Sequence, residues 1–98
     1  MSEHISVLLN EVLEFLQPTD RKIYFDGTFG GGGYTRAILS RANCSVVACD
    51  RDALVTPFVE DISEKFQGRF LFSHDKFSNL QCILNNHNID KVDGIVLD

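Results

Sequence analysis

The sequence is poor in cysteine, in clustered basic charge and in long apolar runs. Its three thiols, Cys44, Cys49 and Cys82, form no CxxC pair and no spacing typical of zinc ligands. An odd count suits reduced thiols that serve as small buried hydrophobes. His74 and His87 have no partners at metal-ligand spacing, so no metal is expected and both read as surface or loop residues. A formal net charge of −5 argues against a strongly basic nucleic-acid surface within these residues, because phosphate contacts require clustered Lys and Arg. No apolar run is long enough to span a membrane, and MSEHISVLLNEV lacks a basic region followed by an apolar stretch. A cytosolic chain without a secretory signal is the expectation.

What remains is one globular unit: 98 residues, 44% hydrophobic and 23% charged. Ser6 is placed to cap a helix with Val7, Leu8, Val12, Phe15 and Leu16 on one side, stopped by Pro18. KIYFD at 22–26, SVVACD at 45–50, RFLFS at 69–73 and VDGIVLD at 92–98 read as strands. Between them the spacing predicts helices over 34–42, from about Asp52 to Phe66, and over 80–86. Pro57 sits awkwardly for a helix starting at Asp52, and Thr56 as cap with Pro57 in the first turn resolves this. Strands alternating with helices predict an α/β fold whose parallel sheet is covered on both faces. The last strand stops on Asp98, which suggests a truncated chain.

In an open parallel sheet, ligands bind beyond the carboxyl ends of the strands. Those ends hold Asp26 with four consecutive glycines, Asp50, the HDKF stretch at 74–77, and Asp98. Carboxylates there can accept hydrogen bonds from a nucleoside ligand. The run Gly30, Gly31, Gly32, Gly33 lets the backbone turn sharply and admits a ligand to van der Waals distance, with free amides at the next helix N-terminus. A tight turn with no ligand is the alternative. A strict GxGxxG is absent, which weakens a nicotinamide dinucleotide reading. Asp50 ends the second strand, where a carboxylate can bind both ribose hydroxyls or simply cap the next helix. Phe77 could stack on a purine or anchor its loop to the core, and Asp75 could bond an adenine amine or make a turn.

An acidic strand end, glycines and a helix resemble the first motif of class I S-adenosyl-L-methionine methyltransferases, with Thr28 in place of the usual first glycine. The chain as a whole resembles the RsmH or MraW family of bacterial enzymes that methylate the N4 amine of a cytidine in small-subunit ribosomal RNA. The resemblance rests on HISVLLNEVLEFL, YFDGTFGGGGYTRAIL, CDRD, HDKFSNL and VDGIVLD, and it extends to Thr28, since the family carries DGTFGxGG. Tyr34 stands where the family often has histidine.

The resemblance implies a Rossmann-like methyltransferase fold of which only the first part is present. Residues 1–98 would form the N-terminal part of the S-adenosyl-L-methionine-binding domain, without an inserted helical region that helps hold RNA. It implies that Gly32, Gly33 and Tyr34 lie along the methionine part of the cofactor, with Gly31 also at the cofactor, Asp50 at the ribose, Phe77 at the adenine side and Asp98 near the transferring methyl. The partner would be small-subunit ribosomal RNA, and the isolated chain is expected to be inactive. A nicotinamide-dependent oxidoreductase and a nucleoside-binding module without catalysis are the competing readings.

Overall fold

Side-chain alternation along four short strands decides what each face of the sheet buries. In the computed structural model, which describes residues 2–97 and side chains over 9–97, the strands are β1 (Ile23–Asp26), β2 (Ser45–Cys49), β3 (Phe70–Ser73) and β4 (Gly94–Val96). All pair in parallel in the order β3-β2-β1-β4. Tyr24, Val46, Ala48 and Phe70 enter one core, while Phe25, Val47 and Cys49 enter the other, as a period of two requires. Both faces carry helices, as expected for an all-parallel sheet, although on the second face Leu71 of β3 and Ile95 of β4 remain exposed.

Four helices supply the covering layers: α1 (Ser2–Leu16), α2 (Gly33–Arg41), α3 (Thr56–Lys65) and α4 (Leu80–Asn86). Leu13 of α1, Ile38 and Leu39 of α2 and Ile62 of α3 pack on the first face, and Ile83 and Leu84 of α4 on the second. The chain steps outward from β1 through β2 to β3, then crosses back to lay β4 against the other side of β1. Strand order therefore reverses between β1 and β4, which is where such sheets open a crevice for ligands. Arg69 closes the opposite end of the sheet. Its guanidinium donates to the carbonyls of Ala42 at 2.9 Å, Cys44 at 3.0 Å and Leu39 at 3.2 Å, satisfying groups that the end of α2 leaves open.

The predicted elements are all present, most with a boundary shifted by a residue or more. α1 starts at Ser2, so Ser6 lies within the helix instead of capping it. Thr56 does not cap α3 either. Val55 holds the N-cap position, Pro57 sits in the first turn, and the Thr56 hydroxyl donates back to the Ala53 carbonyl at 2.9 Å. A short 3-10 turn over Ala53–Val55 precedes α3, and Asp52 caps it by accepting from the Leu54 amide at 2.9 Å. β4 spans Gly94–Val96 within the predicted 92–98. Asp93 lies just before it and locks the register, its carboxylate accepting from the Ile23 amide at 2.9 Å and its own amide donating to the Ile23 carbonyl at 2.7 Å.

Candidate functional site

The loops after β1, β2 and β3 meet at the carboxyl edge of the sheet and enclose a cleft of about 370 Å³. Gly27 and Thr28 form one wall, Asp50 and Arg51 a second, and Asp75, Lys76, Phe77 and Ser78 the third. A larger cavity of about 550 Å³ lies between α1 and β4, walled by Phe15, Leu16, Ile95 and Leu97 among others. None of the described candidates from the sequence lines that second cavity.

The four glycines of the first loop are there for different reasons. Gly30 and Gly32 adopt left-handed backbone angles, with φ of 55° and 86°. A Cβ at Gly32 would also come within 2.6 Å of Ile62 Cδ1, so this glycine serves the turn and the docking of α3. Gly31 and Gly33 differ. Both are exposed, neither has a positive φ, and a Cβ on either would meet no atom within 4 Å. Packing does not require glycine at these two positions. Their bare backbone leaves a space over the loop in which a ligand can lie close to the chain.

Asp26, at the end of β1, is completely buried and does not face the cleft. This corrects its reading as a ligand acceptor: its two oxygens are engaged internally, by the Thr28 amide at 3.2 Å and the buried Thr35 hydroxyl at 2.7 Å. Burial pushes the Asp26 carboxyl above the usual carboxylate range, the hydrogen bonds from Thr35 and Thr28 work against that shift, and the neighbouring Asp50 charge adds to it. Its service is to pin the first turn of α2 to the strand that feeds the glycine loop.

Asp50 is half-buried on the cleft wall. One carboxylate oxygen accepts the Gly30 amide at 2.8 Å and the other the Asp52 amide at 3.0 Å. It organises the start of the next segment, whose 3-10 turn is capped by Asp52 and not by Asp50, and it also faces the cleft. Asp75 uses one oxygen to accept from the Lys76 amide at 2.8 Å and the Asn79 side-chain amide at 2.7 Å. That bonding shapes the 3-10 turn Phe77–Asn79 and presents the Phe77 ring, 48% exposed, to the cleft. Gly27 makes the approach possible, because a Cβ there would collide with Leu97 and stand 2.9 Å from Phe77 Cβ.

The thiol nearest the cleft is inert. Cys49 is buried and donates toward the Gly27 carbonyl at 3.6 Å. Burial, reinforced by the charges of Asp26, Asp75 and Asp50, pushes its thiol up to about 12. His87 is not simply a surface residue: it is half-buried, with its Nε2 3.1 Å from Ser73 Oγ at the end of β3. His74 is exposed and stands edge-on to Phe72. Among the described residues there is no group of three or more His, Cys, Asp or Glu arranged to hold a metal ion.

The structure thus brings Asp50 and Phe77 to one cleft and ties the glycine loop to it through Gly30. Gly31, Gly32, Gly33 and Tyr34 are not among its walls; Tyr34 is half-buried and packs against the first core. Asp98 lies outside the described residues. Arg51 and Lys76, two cations on the cleft wall, went unnoticed in the sequence, although each adjoins a flagged carboxylate in CDRD and HDKF.

The family described as the MraW methylase family matches residues 1–98. Proteins named ribosomal RNA small subunit methyltransferase H are similar to this chain throughout. The one from Ehrlichia chaffeensis is 50% identical over 95 residues, covering 97% of this chain and 32% of the relative. The Wolbachia protein is 48% identical with the same coverage, and the Anaplasma phagocytophilum protein is 47% identical over 98 residues, 33% of its length. The chain therefore spans about a third of the length of these curated relatives. Among solved structures, a precorrin 8W decarboxylase from Methanobacterium thermoautotrophicum superposes with a TM-score of 0.73 at 17% identity, covering 92% of this chain and 46% of that one, a likeness of fold alone.

Proposed function

The chain belongs to the MraW methylase family, and from that premise we propose that residues 1–98 form the N-terminal part of an S-adenosyl-L-methionine-binding domain in an enzyme that methylates the N4 amine of a cytidine in small-subunit ribosomal RNA. The observation that carries the reading is the meeting of a strand-end carboxylate, Asp50, with the exposed ring of Phe77 in one cleft beside a glycine loop that has open space above Gly31 and Gly33. When bound, the cofactor would supply an electrophilic sulfonium methyl.

The residues fit the groups such a cofactor carries. The Asp50 carboxylate accepts the vicinal hydroxyls of the ribose, and Phe77 offers a flat apolar face to the purine. Gly31, Gly32 and Gly33, with Tyr34 at the start of α2, line the path of the amino-acid part. Asp98 belongs near the methyl, next to the acceptor. Cys49, buried next to Asp50 in the chain, remains a neutral thiol and so does not compete as a nucleophile.

A cytosine exocyclic amine is a weak nucleophile because its lone pair is delocalised into the ring. The enzyme's task is to hold the amine in line with the methyl and to accept a proton, by positioning and electrostatics more than by covalent participation. The base has to leave its stack to reach the donor, which costs least in single-stranded or loop RNA. The chain's net charge of −5 implies that RNA is held mainly by other parts of the enzyme. A cytoplasmic location accompanies this substrate. Among the described residues no helix is long and apolar enough to cross a membrane.

Calorimetric titration of the full chain with S-adenosyl-L-methionine, with NAD as control, tests the proposal. Binding of the first alone, weakened in Asp50→Ala, is the expected result. Binding of NAD alone overturns the reading.

A further inference from the structure

Each polar group of Asp50 has a protein partner. Its two carboxylate oxygens take the amides of Gly30 and Asp52, its carbonyl takes the Asp75 amide at 3.1 Å, and its own amide donates to the Ser73 carbonyl at 3.3 Å. One residue therefore joins the loop after β1, the loop after β2 and the loop after β3, the three walls of the cleft.

The bond to Gly30 is the informative one. It is short and charge-assisted, a class roughly twice as strong as neutral hydrogen bonds. It reaches across 20 residues to a glycine held at φ 55°, in a loop where a Cβ added at Gly31 or Gly33 would meet no atom within 4 Å. The loop is also fastened on either side, where the Phe29 amide donates to the Cys49 carbonyl at 3.1 Å and the Gly32 amide to the Phe29 carbonyl at 2.8 Å. A carboxylate offers about four lone-pair sites. The two protein amides leave about two for a diol, so the carboxylate can hold loop and ligand together.

We propose that Asp50 is a positioning residue for the glycine loop as well as the acceptor of the ribose hydroxyls, so that the adenosine end and the amino-acid end of the cofactor are coupled through one carboxylate. This deepens the cofactor reading above and rests on it. A residue that served the diol alone would become irrelevant once the diol was removed. A residue that also sets the loop would still matter to a ligand without hydroxyls.

The test is a cycle of ligand and protein changes in the full chain. S-adenosylhomocysteine and its 2′,3′-dideoxy analogue are titrated into the wild type, Asp50→Ala and Asp50→Asn, each checked for folding by circular dichroism. The dideoxy analogue is expected to bind Asp50→Ala at least about tenfold more weakly than the wild type, with Asp50→Asn in between because it keeps one acceptor oxygen. Equal or tighter binding of that analogue to Asp50→Ala overturns the coupling. In the ligand-free chain, the Gly30 amide should exchange with solvent faster in Asp50→Ala than in the wild type, while the buried strand amides stay protected. Unchanged Gly30 exchange overturns the tie whatever the ligand does. Failure of S-adenosylhomocysteine to bind the wild type removes the cofactor reading and the coupling with it.

Discussion

The Thr35 hydroxyl donates to Asp26 across 2.7 Å in a place where neither residue has any exposed surface. An ionisable side chain sits in the core because a helix residue nine positions later supplies a donor, and the glycine loop is suspended between the two. Strand and helix keep a fixed separation, and the loop cannot drift as one body.

Asp26 gives the fold a pH dependence opposite to that of most carboxylates. Its folded pKa is raised by burial, so its favourable contribution is complete below the unfolded value near 3.8 and is lost as pH rises through the higher folded value. The unfolding free energy of the wild type minus that of Asp26→Asn should therefore fall as pH is raised from 3 to 8 in urea titrations. A difference that rises over that interval contradicts the assignment.

Two glycine substitutions separate scaffold from site. Gly32→Ala should destabilise the chain by about 2–4 kcal/mol, through left-handed strain and a clash with Ile62. Gly31→Ala should alter stability by no more than about 0.5 kcal/mol, since its Cβ has room. It should nonetheless weaken S-adenosyl-L-methionine at least about tenfold, about 1.4 kcal/mol. Thermal melts paired with calorimetry read both, and full affinity in Gly31→Ala would argue that nothing lies over that part of the loop.

Arg69 supplies a control remote from the cleft. Removing its three hydrogen bonds to carbonyls in Arg69→Ala should cost about 1–3 kcal/mol in chemical denaturation and leave cofactor affinity unchanged under folding conditions. Arg69→Lys should recover only part of the loss, because an ammonium lacks the planar fork that spans three acceptors.

The thiols should sort by burial. At pH 8 a thiol titrating near 12 is thiolate in roughly one molecule in ten thousand, so Cys49 should resist a disulfide reagent in the native chain. Cys44 is buried as well, and Cys82 is exposed. One fast equivalent, with the other two appearing only on denaturation, is the expected titration.

Local rules made most of the architecture readable. Val46 and Val47 behave as a doubly buried strand, Pro57 takes its place in the first turn of α3, and Asp50 and Phe77 share a cleft as their positions at strand ends implied. What escaped depends on partners distant in sequence. Whether Asp26 faces a ligand or the core is decided by Thr35, and the pairing of His87 with Ser73 joins the end of α4 to the end of β3, 14 residues earlier. The Ala53–Val55 turn escaped for a local reason: Asp52 captured the Leu54 amide, leaving Thr56 to bond backward to Ala53.

The register lock between Ile23 and Asp93 spans 70 residues. By contrast, β1, β2 and β3 pair in succession with one helix between each, and the three cleft walls come from the loops that follow them. Closing the longer loop carries the larger entropy cost, which favours β4 joining last. During synthesis, Gly30, Asp50 and Phe77 can thus be gathered before β4 has left the ribosome, and the cleft would begin to form while the polypeptide is still being made.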